Sequence, residues 1–135
     1  MKLLDLIDAL EALTREAQPD ATRLTAVRLA LTRASRCRSA LLDRVIYPHL
    51  VACGEPAAAE AVRTLQNGAT TQMLFSSNHI ATWGIKQVVG QWSAYREASA
   101  RMRAAMRERV AAEQAALYPL LATRSTAAAP ASARA

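Results

Sequence analysis

The stretch RSALLDRVIYPHL, residues 38–50, is written a second time as RVAAEQAALYPLL, residues 109–121. Aligning residues 34–50 with 105–121 matches Ala34 with Ala105, Arg36 with Arg107, Arg38 with Arg109, Ala40 with Ala111, Tyr47 with Tyr118, Pro48 with Pro119 and Leu50 with Leu121, seven positions of seventeen. Both copies carry apolar residues at helical spacing, so the repeat predicts two equivalent helices, each ending near its Tyr-Pro. In an antiparallel up-down four-helix bundle the second and fourth helices run the same way and lie diagonally across the core. Their shared positions then point at each other. An all-α, up-down four-helix bundle is therefore the predicted fold.

Composition agrees. The chain has 135 residues, the size of one domain able to bury a core without disulfide or metal. It is 52% hydrophobic, yet alanine supplies 31 of the residues and aromatic side chains only 4%. Gly and Pro are few, and no run alternates apolar and polar residues between turn signals, so no strand is expected. The formal charge is +6, with 15 Arg among the 17 cations. Arg23, Arg28, Arg33, Arg36, Arg96, Arg101 and Arg103 are spread along helices and read as solvated surface, which disfavours a nucleic-acid partner. The opening MKLLDLIDALEAL is interrupted by Asp5 and Asp8 and makes a poor signal peptide, and no apolar run is long enough for a membrane span. The expected location is cytoplasmic, away from membranes. Cys37 and Cys53 have no CxxC or zinc-type spacing and read as small buried or free thiols. Cys37 lies between Arg36 and Arg38, which would favour its thiolate if the sulfur were exposed.

Punctuation divides residues 1–122 into four helical blocks, followed at 123–135 by an Ala-rich, low-complexity tail expected to be disordered. Block one, near 2–17, has Leu3, Ile7, Leu10 and Leu13 or Thr14 on one face, and Pro19-Asp20 ends it while offering a new cap. Block two, about 21–53, has the seam Leu24, Val27, Leu31, Ala34, Arg38, Leu41 and Val45. Pro48 removes one of its backbone hydrogen bonds, so a distortion is expected before a final turn. The CGEP sequence at 53–56 supplies a Gly stop and a Pro start. Block three, about 57–85, has Val62, Leu65, Ala69, Ser76, Ile80 and Trp83 inward, with Asn67-Gly68 as a weak point. Gly84 and Gly90 bracket a connection to block four, about 91–122, whose seam is Trp92, Tyr95, Ser99, Met102, Met106, Arg109, Glu113, Leu117 and Leu120.

A helix ending in Tyr-Pro-Leu, with a His ten residues before the Pro and a Glu six before it, is the recurring phrase of the hemerythrin-like, or HHE cation-binding, domains. Residues 1 to about 122 resemble the bacterial branch of that family, which has a Trp between the third and fourth helices and a late R..E....LYP phrase. The resemblance implies a bundle whose inward His and carboxylate side chains hold a di-iron centre that binds or senses oxygen. The positions that would carry ligands have changed. Arg38 and Leu42 stand where the first phrase would have His and Glu, with Asp43 adjacent; Arg109 replaces the second His, and Glu113 is kept.

Coordination chemistry points the same way independently of the resemblance. Di-iron sites in bundles use inward Glu-x-x-His pairs on several helices, and the chain has no Glu-x-x-His or His-x-x-x-Glu. Its two histidines, His49 and His79, fall outside the matched positions; the first reads as an exposed or capping imidazole and the second as a core or interface residue. No metal or other cofactor is expected, with iron or haem as the alternative. What fills the centre is predicted from charge. An Arg keeps its charge inside a protein, so Arg38 and Arg109 need carboxylates if buried, and Glu113 lies one helical turn from Arg109. A cluster of Arg38, Arg109 and Glu113, with Asp43 or Glu60 as further members, is one expectation; both arginines reaching out to solvent at the bundle ends is the other.

Other chemistry is sparse, with no phosphate loop, nucleophile elbow or Cys-His dyad. Phe75, Trp83, Trp92 and Tyr95 gather about the third connection and read as core closure, and Met73, Met102 and Met106 as core filler. Three functional readings follow. The preferred one is a non-enzymatic binding or regulatory module with a protein partner or a second copy of itself. The second is a sensor retaining metal, haem or a small molecule through Glu60, His79, Trp83 or Glu113. The third is a basic helical protein on nucleic acid or an acidic partner.

Overall fold

The computed structural model describes the backbone of residues 2–134 and the side chains of residues 2–122. All regular structure among the described residues is helical. The elements are α1 (Leu3–Thr14), α2 (Ala21–Leu41), a π-helical turn (Leu42–Ile46), α3 (Tyr47–Val51), α4 (Pro56–Thr82), α5 (Ile85–Gly90) and α6 (Trp92–Arg134). The expected disordered tail concerns residues 123–135, whose side chains lie outside the described residues.

Helix ends follow local chemistry. Asp20 caps α2, accepting the Arg23 backbone N–H at 3.1 Å. Gly54, at φ +73°, turns the chain through the left-handed region, and Pro56 opens α4, where its missing N–H has no helical partner to lose. The distortion expected at Pro48 takes the form of the π turn, in which the Tyr47 N–H reaches back to the Leu42 carbonyl. Widening the helix there accommodates a proline ring that would crowd the carbonyl four residues earlier.

α1 packs on α2 and α6, α4 on α6, α3 on α4, and α5 on both α2 and α6. Two apolar clusters result. One joins Leu6, Ile7, Leu10 and Leu13 to Leu24, Leu31, Val88 and Tyr95. The other joins Leu42, Tyr47, Leu50, Ala58, Val62, Leu65 and Leu117. Each fully buried Leu, Ile or Val contributes about 1.5–3 kcal/mol to holding its helix in place.

Several expectations need correction. Leu41 and Val45 are exposed and Leu42 is buried. Leu42 follows Arg38 at ordinary four-residue helical spacing, and only beyond it does the π turn, which spends one extra residue, carry the seam to Ile46 and Tyr47 in place of Val45. On α4 the seam holds at Val62 and Leu65, but Ile80 is 51% exposed, Met73 is exposed rather than core filler, and Phe75 is exposed away from the aromatic group. The expected connection after Gly84 contains the short helix α5. The two Tyr-Pro copies are not equivalent in burial, since Tyr47 is buried and Tyr118 is 62% exposed.

Candidate functional site

The seam of α6 runs from an aromatic group to a charged layer. Near its start Tyr95 is fully buried, with Trp83 edge-on at 5.4 Å, Trp92 stacked at 6.0 Å and His79 tilted at 6.1 Å between ring centroids. The Arg28 guanidinium stands 5.6 Å from the Tyr95 ring centre and donates to the Trp83 carbonyl. Burial, reinforced by Arg28 and Arg101, pushes the His79 pKa down and favours a neutral imidazole.

About four to five turns further along, Arg38 from α2 donates Nε–H to Glu113 Oε1 at 3.0 Å, and Arg109 Nε lies 3.3 Å from Glu113 Oε2. Arg109 also donates to the Leu65 carbonyl of α4, so one layer links three helices. Gly68 makes room for it, because a Cβ at that position would sit 2.7 Å from Arg109 Nη1. The side chains of Glu113, Arg109 and Arg38 are 6%, 16% and 34% exposed. Glu113 and Arg109 are thus buried in one cluster, while Arg38 joins it from a partly solvated position. Asp43 is exposed at the edge of the cleft described below, and Leu42 belongs to the second apolar cluster. Glu60 is outside the layer, exposed and paired with Arg63 at 2.8 Å.

A second charged group was hidden in the sequence. Arg103, read there as surface, is buried and reaches Glu11 Oε1 at 3.1 Å, Thr14 Oγ1 at 3.2 Å and Ser99 Oγ at 3.3 Å. Arg107 bridges Glu11 and Asp8 at 3.3 and 2.8 Å, and its hydrogen bond holds the Glu11 carboxyl below the usual range. Ser99 stands four residues before Arg103 and is a local hint of this arrangement; Thr14, 89 positions away, gives none.

Between the aromatic group and the charged layer, α2 and α4 flank a cleft of about 690 Å³ with α6 on its inner side. Leu31, Met73, Ile80, Met102, Met106 and Val110 contribute apolar lining, while Arg38, Arg109, Glu113 and His79 contribute polar lining. Tyr47 and Tyr95 are on its wall, each with a buried hydroxyl that has no hydrogen-bond partner among the described residues. Burial and the Glu113 carboxylate raise the Tyr47 pKa, so the phenol stays protonated and remains a donor. Trp83 supports Tyr95 at the aromatic end. Both cysteines are exposed and free, with Cys53 Sγ 3.0 Å from the His49 carbonyl oxygen.

The matched positions do not suit iron. Arg38 and Arg109 bring fixed positive charge to where a cation would sit, Leu42 has no donor atom, and both Glu113 oxygens face guanidinium groups. Among the described residues no group of three His, Cys, Asp or Glu is arranged to hold a metal ion. Neither guanidinium can accept a proton, and both oxygens of Glu113, the carboxylate they share, are held in ion pairs. No helix among the described residues is long and apolar enough to cross a membrane. No family model, curated protein or solved structure matches the chain.

Proposed function

We propose that the chain is a degenerate hemerythrin-like, up-down four-helix bundle in which an arginine–glutamate layer stands in for a di-iron site. It acts without catalysis, as a small cytoplasmic binding or regulatory module whose ligand enters the cleft between α2 and α4. The supporting observation is Glu113, a buried carboxylate shared by two arginines at the repeat-related positions 38 and 109, directly beside a cleft of about 690 Å³. Small-molecule sites commonly occupy about 300–1,000 Å³ with mostly apolar walls and a few placed polar groups.

Two measurements test the reading. Protein purified without chelators should contain no stoichiometric iron and show no iron or haem absorption; tightly held iron at one or two atoms per chain overturns it. Small amphipathic molecules should change Trp fluorescence, because Trp83 and Trp92 pack on Tyr95 at the cleft wall. Ala69→Trp, which places bulk in the lining, should abolish that response.

A second reading, self-association, is favoured by the exposure of Met73, Leu74, Phe75 and Ile80 on α4. Sedimentation over a concentration series separates it from the first. The nucleic-acid reading predicts binding that weakens steeply with salt.

A further inference from the structure

We infer that the cleft binds an anionic amphiphile, a monocarboxylate with an extended apolar body, whose head group lies at Arg38 and Tyr47. The inference rests on the cleft being a ligand site, as proposed above.

Charge selects the sign of the ligand. Arg28, Arg36, Arg38 and Arg109 line the cleft against only Asp43 and Glu113, a formal excess of two positive charges with His79 neutral. Within the layer itself, two guanidinium groups share one carboxylate, which leaves one positive charge without a partner. Arg38 carries that charge most accessibly. Its Nε is engaged by Glu113, its side chain is the most exposed of the three, and its planar fork suits a second carboxylate.

Tyr47 supplies an independent reason for a head group here. It is 2% exposed, it lies on the cleft wall, and its hydroxyl lacks an acceptor among the described residues. A buried hydroxyl left without a partner is costly, and a ligand carboxylate would accept its proton in a hydrogen bond. Both groups belong to the same end of α2, Arg38 in its last turn and Tyr47 just beyond the π turn. From there to the aromatic end Leu31, Met73, Ile80, Met102 and Met106 form an apolar track among small polar side chains such as Thr32 and Ser76, and the methionines can adapt to a flexible body.

The test is calorimetric titration of the full chain at neutral pH with decanoate, 1-decanol and decyltrimethylammonium, three probes that share a tail and differ in the head. Decanoate should bind one molecule per chain, about tenfold or more tighter than decanol, with the cation weakest. Arg38→Gln should bring decanoate down to the decanol value and leave decanol unchanged; Arg38→Lys, which keeps the charge but loses the fork, should lie between. Tyr47→Phe should weaken decanoate alone. Thermal unfolding of each variant establishes that it is folded, and the comparison of probes within one variant does not depend on its stability. Equal affinity for decanoate and decanol overturns the head-group inference while leaving the cleft as a ligand site. Binding of none of the three, or a dimer whose formation decanoate does not oppose, overturns the inference and the ligand-site reading together.

Discussion

At Glu113 a single carboxylate faces guanidinium groups from two helices, and removing its charge strands both of them. Glu113→Gln is expected to cost about 3 kcal/mol in denaturant unfolding, the low end of the range for a broken buried pair because Arg38 is partly solvated. A loss below about 0.5 kcal/mol would mean that water already does the work of the carboxylate. Replacing all three members by apolar residues of similar size, Arg38→Met with Arg109→Met and Glu113→Leu, should be neutral or stabilising by about 1–4 kcal/mol, since no charge then needs desolvation. His79 gives a prediction in pH. Its folded pKa lies below the ordinary 6.5, chiefly through burial, so the unfolded chain binds more protons as pH falls past that value. Stability from this group is therefore complete above about 6.5 and lost as pH falls through the lower folded pKa. The urea midpoint of His79→Gln should vary less between pH 7.5 and 5.5 than that of the parent chain.

At the scale of the helix, Gly68 shows how a local weakness can serve a distant contact. Glycine inside a helix costs about 1 kcal/mol relative to alanine, yet here its missing Cβ lets Arg109 reach the Leu65 carbonyl. Gly68→Ala should therefore destabilise the parent chain but stabilise an Arg109→Met background by about 1 kcal/mol. The same sign in both backgrounds would show that Arg109 moves aside freely. The helices differ in how far the sequence revealed them. The α6 seam from Trp92 to Leu120 is buried or half-buried at every position expected, because an unbroken α-helix keeps one period. In α2 the seam reads correctly as far as Arg38; Leu41 and Leu42 are equally apolar, so spacing alone does not choose between a three- and a four-residue step there, and the π turn that displaces Val45 leaves no mark in apolar spacing. Ile80 misled because α4 faces a cleft where a neighbour was assumed. The Arg38–Glu113–Arg109 layer was legible because an Arg on an apolar seam demands a carboxylate; the cleft and Arg103's partners were not, because both depend on how separate helices meet.

Across the whole molecule, the two apolar clusters are distinct, with the charged layer and the cleft lying along α6 between Tyr95 and Leu117. Few apolar contacts join them, so the ends should open separately. Native-state hydrogen exchange is expected to give two free energies, one shared by amides near Leu10, Leu24 and Tyr95 and another by those near Val62, Leu65 and Leu117; one common value would refute this. The π turn bears on the same division. The π turn takes up one residue more than an α-helical turn, so excising Val45 would leave Tyr47 four residues after Leu42, with its N–H still directed at the Leu42 carbonyl as an ordinary α-helical bond. Tyr47 and Leu50 would then keep their facing toward Leu42 in the second cluster. The surplus residue is thus contained within one turn, and the penalty of deleting it falls on the Pro48 ring, which would meet the carbonyl four residues before it, so the loss should be smaller than for a one-residue deletion in the regular helix near Leu31.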